Sequence, residues 1–263
     1  MQLTFGLRVK LAGARVWATG ASSGIGEAVV AGLVRAGARV AITARGNDDL
    51  RRVAARYGTA ERPVLALPAD VTQPDAVKSV VARLESDWGG LDLAFFNAGT
   101  YRPVSGTAFA AEDVVETMRV NVFGAMFGAE AVLPGMLRQG RGRIAVTSSL
   151  VGLIPLPNAA AYGASKAALT YAFEALRFDL QPRGVGVTII HPGFVRTPLT
   201  RANRFHMPAL MDSDAAAAVI LRGLAADQDE IDFPRWVAWT VKTIRRLPFP
   251  LYKHLVALTI RPP

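Results

Sequence analysis

The sequence predicts an α/β fold: a single doubly wound parallel sheet with helices on both faces, and a short helical extension at the C-terminus. Three observations carry this reading. Short apolar runs alternate with amphipathic stretches along most of the chain, and parallel strands need crossovers of roughly ten residues or more. The apolar runs are near-continuous, as in Leu93-Ala94-Phe95-Phe96 and Val187-Thr188-Ile189-Ile190, which suits strands covered on both faces. The length of 263 residues is that of one large domain.

Residues 15–19 are the first strand and 26–36 the first helix. A strand at 40–43 leads to a helix over 48–57, with Asp48 and Asp49 at its N-terminus, where Asp is favoured as a cap. The third strand, 64–67, precedes a helix over 74–88, and the fourth, 93–96, a long helix over 111–139. Residues 143–147 are the fifth strand, followed by a helix over 159–181. A sixth strand at 186–190, a helix over 213–226 and a short strand at 230–233 complete the series. The longest uncharged run, 144–165, is long enough to cross a bilayer. It carries Thr147, Ser148, Ser149, Pro155, Pro157 and Asn158, so it reads as a strand, a loop and a helix start.

Composition removes whole classes of function. Hydrophobic residues make up 51% and charged ones 19%, far from a disordered chain. Cys is absent, which excludes disulfides, iron–sulfur clusters, thiolate zinc sites and thiol nucleophiles. The three His (His191, His206, His254) are too few for a multi-histidine centre, and no metal is expected. The net charge is +9, but six of the 30 Lys/Arg and none of the 21 Asp/Glu follow Pro234. The basic excess therefore sits in the tail and does not form the broad face of a nucleic-acid binder. Arg8 and Lys10 follow the first apolar residues instead of preceding them, the reverse of a secretory leader, and a cytoplasmic location is expected.

The first strand runs into Thr19-Gly20-Ala21-Ser22-Ser23-Gly24-Ile25-Gly26 and then a helix. Glycines there let backbone amides approach a pyrophosphate, and the helix N-terminus adds unpaired N–H groups and positive dipole. Alone, such glycines can be no more than a turn; their place between the first strand and the first helix favours a Rossmann-type dinucleotide fold. The second strand ends Ala44-Arg45, where NAD-binding proteins carry a carboxylate for the ribose 2′-hydroxyl. A guanidinium there would pair with a 2′-phosphate, so NADP(H) is preferred over NAD(H); a solvated loop arginine is the plainer alternative. Asp70-Val71 and Asn97-Ala98-Gly99 lie at carboxyl ends of strands, where ligands bind. A helix cap at Asp70 and a turn at Asn97 remain open alternatives.

Ser149, Tyr162 and Lys166 form the strongest constellation. Tyr162 and Lys166 are four apart on a predicted helix and share a face. An ammonium beside a phenol favours the phenolate and is expected to bring its pKa down from about 10 toward working pH. Such a tyrosine can exchange a proton with a substrate oxygen, to which Ser149 can also hydrogen-bond.

Together these motifs, with Asn121 and Pro192-Gly193, resemble the short-chain dehydrogenase/reductase (SDR) family over about residues 11–234. The resemblance implies Tyr162 as general acid/base, Ser149 stabilising the substrate oxygen and Lys166 binding the nicotinamide ribose while tuning Tyr162. It implies Asn121 supporting a proton-relay water. Gly20, Ser22, Ser23, Gly24, Ile25, Gly26, Arg45, Asp70, Val71, Asn97, Ala98, Gly99, Pro192, Gly193, Val195 and Thr197 become cofactor contacts, with Tyr162 and Lys166. The family's usual Asn-Asn-Ala-Gly reads Phe96-Asn97-Ala98-Gly99 here, with Asn97 as the residue expected to be tied to the sheet.

The expected activity is reduction of a ketone or aldehyde, or oxidation of a secondary alcohol, with NADP(H). Residues 1–234 form the catalytic unit and 235–263 the extension. A lid over 198–212, with Leu199, Phe205, Met207, Leu210 and Met211, together with Leu150, Leu153 and Phe194, suggests an apolar substrate. Arg196, Arg201 and Arg204 leave an anionic one open. A catalytically silent NADP-binding scaffold or sensor is the alternative, and a sugar-nucleotide epimerase ranks below it. Small residues along 162–180 permit close helix packing, and the family resemblance implies a homo-oligomer, dimer or tetramer, through the helices carrying Asn121 and Tyr162. As a helix, 235–247 places Trp236, Val237, Val241, Ile244 and Leu247 on one side, and Arg235, Lys242, Arg245 and Arg246 on the other. Either the apolar side packs on the catalytic unit or a neighbouring subunit and the basic side is solvated, or the helix lies at a membrane surface, a peripheral contact that neither tail segment is long enough to turn into a span.

Overall fold

The apolar runs become strands of one sheet. In the computed structural model residues 10–201 and 207–259 are described, with side chains through Leu255. In chain order the strands are β1 (Arg15–Thr19), β2 (Arg39–Thr43), β3 (Leu65–Ala66), β4 (Leu93–Phe96), β5 (Gly142–Thr147) and β6 (Val185–Pro192). A separate short pair follows, β7 (Val195–Arg196) with β8 (Met211–Asp212), before β9 (Glu230–Phe233) closes the main sheet. All main-sheet pairings are parallel, in the order β3-β2-β1-β4-β5-β6-β9. The chain winds outward from β1 to β3, then returns to place β4 beside β1. The carboxyl ends of β1 and β4 are therefore the switch point at which such sheets open a crevice.

The helices are α1 (Gly24–Arg35), α2 (Asn47–Tyr57), α3 (Pro74–Trp88), α4 (Ala111–Met118), α5 (Gly124–Gln139), α6 (Ala160–Leu180), α7 (Ser213–Ala225), α8 (Arg235–Arg245) and α9 (Phe249–Thr259). Strand residues alternate between two buried layers, as the pleat requires. Val16, Ala18, Ile42, Phe95 and Ile190 pack with α1, α2 and α7. Trp17, Ala41, Phe96, Val146 and Ile189 pack with α3, α5 and α6. Trp17 keeps its indole N–H satisfied by donating to Thr43 Oγ1 at 2.9 Å.

Some boundaries move. The first helix begins at Gly24, two residues before the expected 26, so the glycine turn passes straight into it. Gly46, not Asp48, is the N-cap of α2; Asp48 and Asp49 lie in its first turn, where the macrodipole favours carboxylates. The expected helix over 111–139 is continuous but interrupted by a π-helical stretch, Arg119–Phe123. It is long and apolar enough to cross a membrane, yet half of its most apolar window is buried within the protein, as in a core helix. The run 144–165 holds β5, a short 3₁₀ turn and the start of α6.

Candidate active site

A cleft of about 470 Å³ opens along the carboxyl edge of the sheet, from the glycine turn and Arg45 at one end to Ser149, Tyr162 and Lys166 at the other. Gly20, with φ +62°, lets the β1 turn lie against the segment after β4: a Cβ there would stand 2.5 Å from Ala98 Cα. Ser22, Ser23, Gly24 and Ile25 line the cleft at the N-terminus of α1. Gly26 does not line it; a Cβ there would strike the Gly20 carbonyl, so this glycine serves helix–turn packing. A backbone cradle at a helix N-terminus, closed to side chains, fits a dinucleotide pyrophosphate.

Asn97 ties three strand ends together. Its Nδ2 donates to Gly20 O at 3.0 Å, its Oδ1 accepts from Thr147 Oγ1 at 3.1 Å, and its N–H donates to Thr19 Oγ1 at 3.2 Å. Asp70 and Val71 line the cleft, and Asp70 Oδ1 also accepts from Thr72 N at 2.9 Å, closing its own turn. Arg45 is exposed at the β2 end of the cleft and has no ion-pair partner among the described residues. Asp49 lines the same end and lies 3.8 Å from Arg52. Arg52 also donates to Ser22 O at 2.7 Å, bracing the glycine turn from α2.

At the other end, Lys166 is buried and its Nζ donates to Thr147 O at 2.7 Å. Ser148, the residue before Ser149, donates in return to Lys166 O at 2.8 Å. Two opposed hydrogen bonds thus join the end of β5 to α6 and fix Ser149 against Tyr162 and Lys166. Ser149 Oγ accepts from Val151 N at 3.2 Å and lies 3.4 Å from Pro192 O. Tyr101 stacks edge-on against Tyr162, with ring centroids 5.3 Å apart.

The electrostatics differ from the sequence expectation. Burial pushes the Tyr162 phenol up to about 12, only partly offset by a hydrogen bond from Ser149. Lys166, with its ammonium 5.6 Å from the Tyr162 ring centroid, is itself pulled down to about 8 by burial. Among the protein's own groups, burial outweighs the hydrogen bond from Ser149, so the phenol is not brought toward neutral pH.

Asn121 lies in the π-helical stretch and does not line the cleft. Its Oδ1 accepts from Thr100 N at 2.7 Å; its Nδ2 donates to Thr100 O at 3.0 Å and to Ser165 Oγ at 2.9 Å. Ser165 in turn donates to Tyr162 O at 2.7 Å. The Asn121 side chain thus holds backbone around Tyr162. Ala98, Gly99, Pro192, Gly193, Val195 and Thr197 all line the cleft.

The expected apolar wall is mostly elsewhere. Leu199 lines the cleft, but Leu150 is buried, and Met211 packs on the core. Met207 and Leu210 line a separate hollow with Arg56, Tyr57 and Arg201 on the outer side of α1. Arg196 pairs with Asp212 at 2.9 Å. Arg204 and Phe205 lie outside the described residues. Thr147, Ser148, Arg52 and Tyr101 were not singled out from sequence; no periodicity marks them, and only their partners reveal their place.

One acidic cluster lies behind the site. His191, Glu230 and Asp232 bring ligand-type atoms within 4.8 Å of one another. A protein cation occupies the place a metal would take, since Lys242 Nζ donates to Glu230 Oε2 and Asp232 Oδ2, each at 2.6 Å.

This strand order, a glycine turn feeding a helix at the switch point and a Tyr–Lys pair on the same cleft define a dinucleotide-dependent α/β oxidoreductase. Residues 14–207 match the short chain dehydrogenase family, and the chain belongs to it. It is 38% identical over 234 residues to an uncharacterized oxidoreductase of Myxococcus xanthus (strain DK1622), covering 89% of this chain and 92% of that one. It is 34% identical over 230 residues to 11-beta-hydroxysteroid dehydrogenase-like 2 of Arabidopsis thaliana, covering 84% and 73%. A short-chain dehydrogenase structure from Streptomyces avermitilis matches 94% of both chains with a TM-score of 0.79 at 27% identity. A short-chain type dehydrogenase/reductase from Mycobacterium marinum matches 85% of this chain and 94% of that one, with a TM-score of 0.77 at 29% identity. Membership implies a nicotinamide cofactor, NAD or NADP.

Proposed function

We propose that the protein is an NADP(H)-dependent oxidoreductase that reduces a ketone or aldehyde, or oxidises a secondary alcohol, with Tyr162 as general acid/base. The observation that carries this is the single cleft shared by the glycine turn, Arg45, Ser149, Tyr162 and Lys166. When bound, the nicotinamide supplies or accepts the hydride, and its oxidised form adds a positive charge. Ser22 to Ile25 and the α1 N-terminus would hold the pyrophosphate, and Lys166 the nicotinamide ribose. Ser149 donates a hydrogen bond to the substrate oxygen, which orients it and disperses its growing negative charge. The Tyr162 O–H gives its proton to that oxygen in reduction; in oxidation the Tyr162 phenolate takes the proton from the alcohol. Lys166 Nζ, held on Thr147 O, places a cation beside the phenolate.

Arg45 speaks for NADP(H): it is a guanidinium with no ion-pair partner among the described residues, at the cleft end where a 2′-phosphate would lie. A bulky apolar alcohol or ketone is the substrate class favoured here, supported by Leu199 and Tyr101 beside the site and by the hydroxysteroid in the Arabidopsis relative's name. Assembly as a homo-oligomer is part of the same reading. Tyr171 and Phe178 on α6 are each 78% exposed, in line with Ala164, Ala167 and Ala175, an apolar stripe suited to a second copy.

The test is a panel of ketones and secondary alcohols with NADPH and NADP⁺, followed by nicotinamide absorbance. Turnover on the panel supports the enzyme. Tight NADPH binding without turnover on any member would instead support a silent sensor.

A further inference from the structure

The C-terminal extension both packs and exposes a face. Inward, Ala238 is buried, Val237 and Val241 are half-buried, and the Lys242 ammonium bridges Glu230 and Asp232 of β9. Tyr252 of α9 is buried, with its hydroxyl 3.4 Å from Pro155 O in the segment between Ser149 and Tyr162. This reverses two sequence expectations: Lys242 turns in and Trp236 turns out. Two carboxylates of β9, Glu230 and Asp232, give the Lys242 ammonium partners on the inner side, which hydrophobicity alone does not predict.

Outward, Trp236 is 63% exposed, Trp239 73% and Phe249 69%, and Leu251 is exposed as well. Arg235, Arg245, Arg246 and Lys253 of the same two helices are exposed too, with no ion-pair partner among the described residues. No Asp or Glu occurs after Pro234. Trp236 and Trp239 are three residues apart and share one face of α8, and an exposed apolar patch, unlike a single scattered side chain, marks an interaction site. A second copy meeting this face across a two-fold axis would bring like charges together, which disfavours self-association. Aromatic residues accompanied by cations suit a surface that is apolar beneath and anionic on top.

We propose that the α8–α9 face is a docking surface for anionic lipid bilayers. Trp236, Trp239 and Phe249 enter the headgroup region, and Arg235, Arg245, Arg246 and Lys253 lie over lipid phosphates. Each helix has 11 residues, too short to span, so both lie in the plane of the interface. The lock of Lys242 on β9 and of Tyr252 on the 150–157 segment makes the docking rigid, with the catalytic unit held at the lipid surface. The proposal does not depend on the identity of substrate or cofactor.

The experiment is co-sedimentation of the full chain with vesicles of phosphatidylcholine alone and with about one-third phosphatidylserine. Binding is expected only to the anionic vesicles, with loss at high salt and a blue shift of Trp fluorescence. Trp236→Ala with Trp239→Ala should weaken it about tenfold or more. Arg245→Gln with Arg246→Gln should weaken it by about fivefold per charge. Both double variants should keep wild-type melting behaviour and NADPH binding, because all four side chains are exposed. Three results would overturn the proposal. One is full-chain protein left in the supernatant with anionic vesicles at low salt. Another is vesicle binding unaffected by both double variants. The third is retention on immobilised polyglutamate, or a tryptophan-dependent change of oligomeric state, without vesicle binding.

Discussion

His191 Nδ1 and Asp232 Oδ1 are hydrogen-bonded at 2.8 Å, and through this pair the C-terminal extension reaches the helix that carries Tyr162 and Lys166. His191 Nε2 faces Thr170 Oγ1 at 3.1 Å, and Thr170 Oγ1 lies 2.8 Å from Ser148 Oγ. Ser148 then donates to Lys166 O, while Lys242 of α8 closes the far end on Asp232. Each link is a hydrogen bond among buried or partly buried groups, where an unmade bond is costly.

Asp232→Asn keeps the shape and removes the charge that holds both His191 and Lys242. Burial alone would raise the Asp232 carboxyl, but hydrogen bonds from His191 and Lys242 outweigh it and hold it below its ordinary value. A depressed carboxyl contributes stability that is present above its unfolded value, about pH 4, and is lost as pH falls through the folded one. Urea unfolding should place the variant on the order of 1–3 kcal/mol below wild type at neutral pH. The gap should narrow on acidification below about pH 4. A gap that widens with acid would contradict this role.

The two directions of the reaction should differ in pH dependence. With the Tyr162 phenol pushed up to about 12 by burial, its proton is in place for carbonyl reduction throughout the neutral range. Alcohol oxidation needs the phenolate, so its rate should climb from about pH 7 to about pH 10. Stopped-flow measurement of the chemical step in each direction checks this. An oxidation rate flat over that range would place the proton acceptor elsewhere.

Arg45→Ala should erode cofactor choice. A charge-assisted pair with a 2′-phosphate is worth about 1.5–3 kcal/mol, or roughly ten- to a hundredfold in affinity, and the exposure of Arg45 argues for the lower end. Calorimetric titration should show NADPH ahead of NADH in the wild type and the two near parity in the variant. Equal wild-type affinities would leave Arg45 as a solvated loop residue.

Much of the fold and the site is legible in the sequence. The spans of β1, α3, β4 and β9 follow from apolar runs and their breaks, because burial on a sheet writes itself into local pattern. The glycine turn and the Tyr162–Lys166 pair were legible because both are local in sequence. What escaped depends on partners distant in the chain. Ser148, Thr170, His191, Asp232 and Lys242 come from five separate elements or their ends, and no periodicity links them. The helical wheel of the tail places Val237, Val241, Ile244 and Leu247 inward and Arg235, Arg245 and Arg246 outward as expected, and departs at Trp236 and Lys242, since hydrophobicity alone carries no sign that β9 offers two carboxylates to Lys242. The expected lowering of the Tyr162 pKa failed because spacing gives proximity to Lys166 but not the depth of burial of either group.

Tyr171→Asp with Phe178→Asp should split the proposed homo-oligomer. Both side chains are largely exposed on α6, so the monomer should still fold. Light scattering at micromolar concentration should report an oligomer for the wild type and half its mass or less for the variant. An unchanged mass would move the interface to another face.

Tyr162→Phe removes one hydroxyl from the centre of the proposed chemistry while leaving the ring that Tyr101 packs against. Steady-state turnover of the best panel substrate, measured beside NADPH affinity, is the most direct test. A fall of about a hundredfold or more in kcat, with NADPH affinity within a few-fold of wild type, is the expected result. Turnover within a few-fold of wild type would contradict Tyr162 as the acid/base and with it the mechanism.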